Sequence, residues 1–279
     1  MIFRRNMTAL AQHDLPQLAD AWDEVAAELS AIPLELERVR YAAVLKFIAS
    51  LPKSARILEA GCGAGRILRA LDAMGYENLV GLEISQSRLD YVARVGPACA
   101  ELVCSDQVEF ADESFDAVVS AAVIEHVIDP SAWLGELARV TKPGGLISIA
   151  TDTFMWHWLK RLGLYRTVQP IDQAIWPAML IRWGERAGLE LAGCGGLVNV
   201  PEQRWYFARQ LKRLTSLKRW WCKLWGIKRG RVDAADAVAP AVDETASILA
   251  ATGDFPLAEK RDLANCIWSY ECYYWFRKP

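Results

Sequence analysis

Leu58-Glu59-Ala60-Gly61-Cys62-Gly63-Ala64-Gly65-Arg66 decides the fold. The stretch follows an apolar run and opens an amphipathic helical stretch. Gly61, Gly63 and Gly65 leave a turn without Cβ atoms where backbone has to pass close to a ligand. One acidic residue, Glu59, sits just ahead of the glycines. A second, Glu83, closes the next apolar run 22 residues beyond Gly61. This layout places a nucleotide-type ligand at the carboxyl edge of a parallel sheet.

Spacing narrows the ligand. A dinucleotide fingerprint reads G-x-G-x-x-G and lays its pyrophosphate on a helix N-terminus. Here the glycines read G-x-G-x-G, with a carboxylate two residues ahead of the first. That carboxylate repels a pyrophosphate but suits a ligand carrying an ammonium group. Glu83 can accept two hydrogen bonds from a ribose diol.

Outward from the loop, short apolar strands alternate with helical spacings, which predicts a doubly wound parallel sheet. Strands are expected at 56–60, 78–83, 101–104, 116–120 and 146–151. Helices are expected to start near 65, 86 and 131, with Ser85 and Pro130-Ser131 as start signals. Ala178 to Ala187 reads as a further helix ended by Gly188. Leu189 to Val200 reads as a sixth strand, and the aromatic stretch Trp268 to Phe276 as a seventh paired with it. Before the sheet, helical stretches around Leu15–Leu29 and Leu34–Leu51 are broken near Pro33.

The motifs continue in order: Glu83-Ile84-Ser85, Ser105-Asp106-Gln107, Ser114 to Ser120 followed by Val123-Ile124-Glu125-His126-Val127, then Leu137 to Gly145 leading into Leu146–Ala150. With the glycine loop, this series resembles the class I S-adenosylmethionine-dependent methyltransferases, in the broad group acting on small molecules and lipids. The resemblance covers roughly residues 55 to 200 and a piece at the C-terminus. It implies a seven-stranded, mostly parallel sheet ending in a reversed β-hairpin. An N-terminal helical arm (1–52), a cofactor-binding core (53–200), a helical insertion (201–262) and a final strand (263–279) follow as the domain plan.

The resemblance also implies roles in holding S-adenosylmethionine. Glu59 lies beside the amino-acid moiety, acting through the loop. Gly61, Cys62, Gly63 and Gly65 turn backbone toward the methionine and ribose portions. Arg66 is read either as a partner for the cofactor carboxylate or as a surface helix charge. Glu83 holds the ribose hydroxyls, Ile84 packs on adenine, Asp106 accepts from the exocyclic amine, and the Gln107 backbone meets the ring.

Methyl transfer from a sulfonium is an in-line displacement whose main demands are aim and exclusion of water. A base is needed only where the acceptor must lose a proton. The chain has three histidines. His126, after the fourth strand, and His157, in an aromatic region after the fifth, are the catalytic candidates. His13 requires the arm to fold over the site, and Asp152 and Tyr165 stand in reserve. Related quinone and small-RNA methyltransferases hold a divalent metal with E-x-x-E-H. Here Ala122-Val123-Ile124-Glu125-His126 has lost the first carboxylate. Losing an oxygen ligand weakens a hard-cation site, so no metal is expected.

Charge is distributed unevenly. The whole chain has 32 basic and 34 acidic residues, but Arg204 to Arg231 holds ten Lys or Arg and no Asp or Glu. Trp205, Tyr206, Phe207, Trp220, Trp221 and Trp225 interleave with them. A basic amphipathic segment with interfacial tryptophans suits an anionic membrane surface. The other readings are a lid packed on the domain and, after it, a grip on RNA phosphates. Eight of the twelve tryptophans fall between 156 and 225. They form either an apolar mouth for a hydrophobic acceptor or an enlarged second core.

The reading that follows is methyl transfer to a hydrophobic or lipid-like small molecule. An RNA methyltransferase and a cofactor-binding protein without methyl transfer are the rivals, because a fold does not fix the reaction. No apolar run of about 18 residues is present to span a membrane. Seven scattered cysteines without a C-x-x-C pair predict reduced thiols in a cytoplasmic protein, without disulfides or zinc. Peripheral membrane contact is one of the readings of the insertion.

Overall fold

The computed structural model describes residues 18–24, 34–105, 107–153, 169–197, 243–256, 262, 266, 269 and 271–279. A seven-stranded sheet runs through it in the order β3-β2-β1-β4-β5-β7-β6. The strands are β1 (Arg56–Ala60), β2 (Asn78–Glu83), β3 (Ala100–Cys104), β4 (Phe115–Ala121), β5 (Thr141–Asp152), β6 (Glu190–Gly196) and β7 (Glu271–Arg277). The first five pair in parallel. β7 lies antiparallel between β5 and β6, which gives the expected reversed hairpin.

The helices are α1 (Leu34–Ile48), α2 (Arg66–Ala73), α3 (Gln86–Val95), α4 (Pro130–Val140), α5 (Pro177–Arg186) and α6 (Glu244–Asp254). Side chains alternate across a strand, so each strand feeds two cores. Ile57, Leu79, Ala117, Val119 and Trp275 pack with α1, α2 and α6 on one face. Leu58, Val80, Val118, Ile147 and Phe276 pack with α4 and α5 on the other. Burial of both faces explains why these strands read as apolar runs rather than as alternating patterns.

Helix starts follow local chemistry. Ser85 caps α3, its Oγ accepting from the Arg88 amide at 3.3 Å. Asp129, rather than Ser131, caps α4: its Oδ1 accepts from the Ser131 and Ala132 amides at 2.9 and 3.0 Å, with Pro130 in the first turn. An acceptor before the helix and a proline just inside it satisfy or remove the orphan amides there.

The largest boundary difference is in β5, and two segments outside the expected core pack on the body. β5 begins at Thr141, five residues early, because Gly144 adopts φ 77° and its amide donates to the Lys278 carbonyl at 2.7 Å. A register shift between Phe115 and Ala117 absorbs this irregular start. α1, within the expected N-terminal arm or cap, covers the sheet: Phe47 stacks on Trp275 at 5.1 Å, and the Trp275 indole donates to the Ala43 carbonyl. α6, inside the expected insertion, also packs on the body, with Ile248 in the first core and Lys46 donating to the Gly253 carbonyl. The cationic segment 204–231 lies outside the described residues.

Candidate functional site at the carboxyl edge of the sheet

The glycine turn leaves β1 and wraps the end of β2. The Gly61 and Cys62 amides both donate to the Leu82 carbonyl, at 2.7 and 2.9 Å. Gly61, Gly63 and Gly65 all have positive φ, a region that L side chains enter only under strain. At Gly61 space also forbids a side chain: a Cβ there would lie 2.3 Å from Val123 Cγ2. Val123 follows Ala122, itself at φ 55° at the end of β4. A non-glycine residue held in that region beside a binding turn is stored strain. It turns the β4 end onto the glycine loop.

The two acids do different work. Glu59 is 4% exposed, and its Oε2 accepts from the Leu68 amide at 2.9 Å. Leu68 is the third residue of α2, whose N-cap, Gly65, offers no side-chain acceptor. Glu59 therefore caps α2 from β1. Burial pushes its carboxyl well above the usual range, the Leu68 amide opposes the rise, and the charge of Glu83 adds to it. Glu59 thus ties the start of α2 to the end of β1 and shapes the loop between them.

Glu83 closes β2 at the edge. Its Oε2 accepts from the Gly63 amide at 2.8 Å, and its Oε1 from the Ile84 and Ser85 amides at 3.1 Å each. Three of the roughly four lone-pair positions on a carboxylate are thereby taken. Ile84 is half-buried beside it. Cys62 contributes backbone to the loop, but its side chain lies in the first core, and burial pushes its thiol well up. Asp106 lies outside the described residues, and so does His157. Gln107 is exposed, its amide donating to Ser105 Oγ at 3.0 Å.

Arg66, read either as a partner for the cofactor carboxylate or as a surface helix charge, meets carboxylates of the fold itself. Its guanidinium is held by Glu37 of α1 and Glu244 of α6. Arg69, one turn on, bridges Glu244 and the Ala64 carbonyl of the loop. The carboxylates that claim Arg66 arrive from 29 residues before it and 178 after it, so no local signal announces them.

His126 lies beyond β4 in the turn Ile124–His126 and is buried. Its Nδ1 meets the Ile171 carbonyl at 2.8 Å, which fixes the proton there. Its Nε2 then accepts from the Gln169 amide at 2.9 Å. The ring ties segment 169–171 to the edge. Neighbouring Glu125 is fully buried, accepting from Thr151 Oγ1 at 2.8 Å, and burial pushes its carboxyl up.

The helix expected over Leu15–Leu29 is present at 18–24, and three sets of long-range contacts escaped the sequence. A helical stretch at 18–24 crosses this edge: Trp22 packs edge-on against His126 at 5.6 Å between centroids, and Asp23 accepts from Ser85 Oγ and from Ser87. The arm therefore does fold over the site, although His13 lies outside the described residues. Arg40 and Glu271 form a buried ion pair under the ends of β5 and β7. Arg88 lies against Gly63. None of these pairs is close in sequence, and helical periodicity around Trp22 was the one available hint.

The cradle fits an adenosyl group. It offers a side-chain-free backbone turn, an acid at the tip of β2 with an open lone pair, and a half-buried apolar neighbour.

Comparison with known proteins agrees with this geometry. A methyltransferase domain family model matches residues 58–149. A ubiquinone biosynthesis O-methyltransferase of a Bradyrhizobium species is 31% identical over 153 residues, covering 50% of this chain and 60% of that protein. The biotin biosynthesis bifunctional protein BioHC of Cellvibrio japonicus is 31% identical over 140 residues, covering 50% of this chain and 28% of that protein. The chain thus spans less than two thirds of the length of either relative. Among solved structures, the complex between the Haloferax volcanii Trm112 methyltransferase activator and the putative methyltransferase matches with a TM-score of 0.61 at 16% identity. That match covers 94% of this chain and 97% of the other.

Proposed function

We propose, from the premise that the chain belongs to the class I S-adenosylmethionine-dependent methyltransferase superfamily, that it methylates a hydrophobic or lipid-like small molecule. The observation that carries the cofactor half of this reading is the Gly63–Glu83 corner. A backbone amide and the carboxylate it orients flank the place where a ribose is expected to lie. The Gly61–Gly65 turn, Glu83 and Ile84 would hold the adenosyl group, which supplies a methyl carbon activated by positive sulfur.

The chain's own residues then aim the acceptor and exclude water. Trp22 and Asp23 cover the edge from the arm side. Trp176, Met179 and Ile128 expose apolar surface close in sequence to the Gln169–Gln173 segment and to His126. His126 Nε2 can take an acceptor proton once Gln169 yields its place. The small-molecule reading is supported by relatives named for ubiquinone and biotin biosynthesis. The hydrophobic reading rests on the tryptophan clustering between 156 and 225.

The basic, aromatic segment 204–231 suits an anionic lipid surface from which such an acceptor could be drawn. Among the described residues no helix is long and apolar enough to cross a membrane. Each basic residue near an anionic leaflet contributes about 1 kcal/mol.

The test is transfer of radiolabelled methyl groups into a cell extract, followed by separation into lipid, RNA and protein fractions. Label in the organic phase, increased by anionic vesicles, is the expected result. Label in RNA with a steep salt dependence, or cofactor binding without any transfer, overturns the acceptor assignment.

A further inference from the structure

Arg88 is the arginine in this corner whose guanidinium, among the described residues, has the charge of Asp23 nearby but no hydrogen bond. It sits in the first turn of α3, and only its backbone amide is engaged, by the Ser85 hydroxyl. Its guanidinium lies against the glycine turn: a methyl group built on Gly63 would sit 3.6 Å from Nη1. Its Nε is sealed from solvent and has no hydrogen-bond partner. Among the described residues the guanidinium makes neither a hydrogen bond nor an ion pair. Asp23 is near, but its carboxylate bonds Ser85 and Ser87 instead. Leaving a buried donor unpaired is costly, and more so on a charged group, so this geometry awaits an acceptor.

Glu83 shows which acceptor. With three backbone amides on its oxygens, it can take one hydroxyl proton and has no place for a second. A vicinal diol presents two O–H donors and four oxygen lone pairs. Recognition of a diol by Glu83 alone therefore leaves most of its acceptors facing protein without a donor. Gly63 joins the two residues, because its amide touches Glu83 and its Cα faces Arg88.

We infer that Arg88 is a ligand contact which donates to the ribose oxygens while Glu83 accepts from them, so that the pair reads the diol of an adenosyl ligand. This rests on the adenosyl reading of the site. It assigns Arg88 to the sugar and not to the ligand's carboxylate, the latter being one of the two readings of Arg66.

Calorimetry on the full chain separates these roles with three probes. S-adenosylhomocysteine carries diol and carboxylate, 5′-methylthioadenosine carries the diol alone, and the 2′- and 3′-deoxy forms of the latter each lack one hydroxyl. Arg88→Met is expected to weaken the first two alike, by about 10- to 100-fold for a lost charge-assisted hydrogen bond. It should also shrink the wild-type preference for the ribo over a deoxy form. Arg88→Lys, which keeps the charge but not the fork, should fall between wild type and Arg88→Met, and it carries the test if Arg88→Met does not fold. Loss confined to S-adenosylhomocysteine moves the contact to the carboxylate and overturns the assignment. Unchanged affinity for both probes, or an unchanged ribo-to-deoxy ratio, does the same. A wild-type chain that binds none of the probes defeats the adenosyl reading itself, an outcome distinct from all of these.

Discussion

α2 and α3 leave the same corner of the sheet, and each carries an arginine in its first turn, yet the two keep opposite company. Arg66 is enclosed by Glu37 and Glu244, which α1 and α6 bring from far along the chain. Arg88 is pressed on the glycine turn with a buried, unpartnered Nε. A positive charge beside a binding turn is therefore poor guidance to its purpose. What distinguishes a ligand contact from a structural cation is which carboxylates the tertiary fold delivers to it, and a carboxylate already delivered leaves no donor for a ligand.

The sharpest way to break this contrast is to destroy the turn both helices share. Gly61→Val combines positive φ with a collision against Val123. It is expected to abolish adenosyl binding in calorimetry, with a strain cost of about 1–3 kcal/mol seen in denaturant melts. Detectable binding at wild-type strength would show that the turn tolerates a side chain and that the two arginines do not flank a common site.

Arg66→Met should act on stability and spare affinity. It strips Glu37 of its close partner in a half-buried site, at a cost of about 3 kcal/mol in chemical denaturation. S-adenosylhomocysteine affinity, measured below the melting transition, should stay within about twofold, an energy under the roughly 1.4 kcal/mol of a decade. A tenfold loss of affinity at unchanged stability would make Arg66 the ligand contact after all.

A smaller effect awaits Glu244→Gln. The side chain is 42% exposed, so the ion pairs with Arg66 and Arg69 are screened and contribute about 1 kcal/mol or less. A cost well above that in an unfolding titration would show that α6 is held to α2 far more tightly than this exposure allows. The smallest change is expected from Asp23→Asn. The Asp23 carboxyl sits below its ordinary range: although burial works to raise it, hydrogen bonds from Ser85 and Ser87 and the charge of Arg88 lower it further. Its contribution is thus present above a pH of about 3.8 and is lost as pH falls through the depressed value. The neutral amide should loosen the arm helix by a few tenths of a kcal/mol, read as faster limited proteolysis near residue 20 and a small change in Trp22 fluorescence.

The legible parts of this molecule are those set by neighbours in the chain. Alternate glycines imply positive φ, and all three have it. Ser85 three residues before an amide in need of an acceptor marks a helix start, and α3 begins there. The strands reading as apolar runs appear within a few residues of their expected limits because both faces of the sheet are covered. The side chains of the site follow different rules. Glu59 turns to the Leu68 amide, Cys62 turns into the core, and His126 finds Ile171 and Gln169, partners some forty residues away. Spacing identifies which atoms reach an edge. Only the packed chain shows which of them still have a hydrogen bond to give.

The arm helix carries a last consequence, for traffic. Trp22 on His126 and Asp23 on Ser85 and Ser87 lie over the carboxyl edge where the proposed nucleoside would sit. If exchange of used for fresh donor parts those contacts, their strength sets a floor under the residence time of the product. When chemistry is fast, unlatching of a covering element becomes the slow event of each cycle. Turnover in such a case is governed by a tryptophan and an aspartate that never touch the migrating carbon.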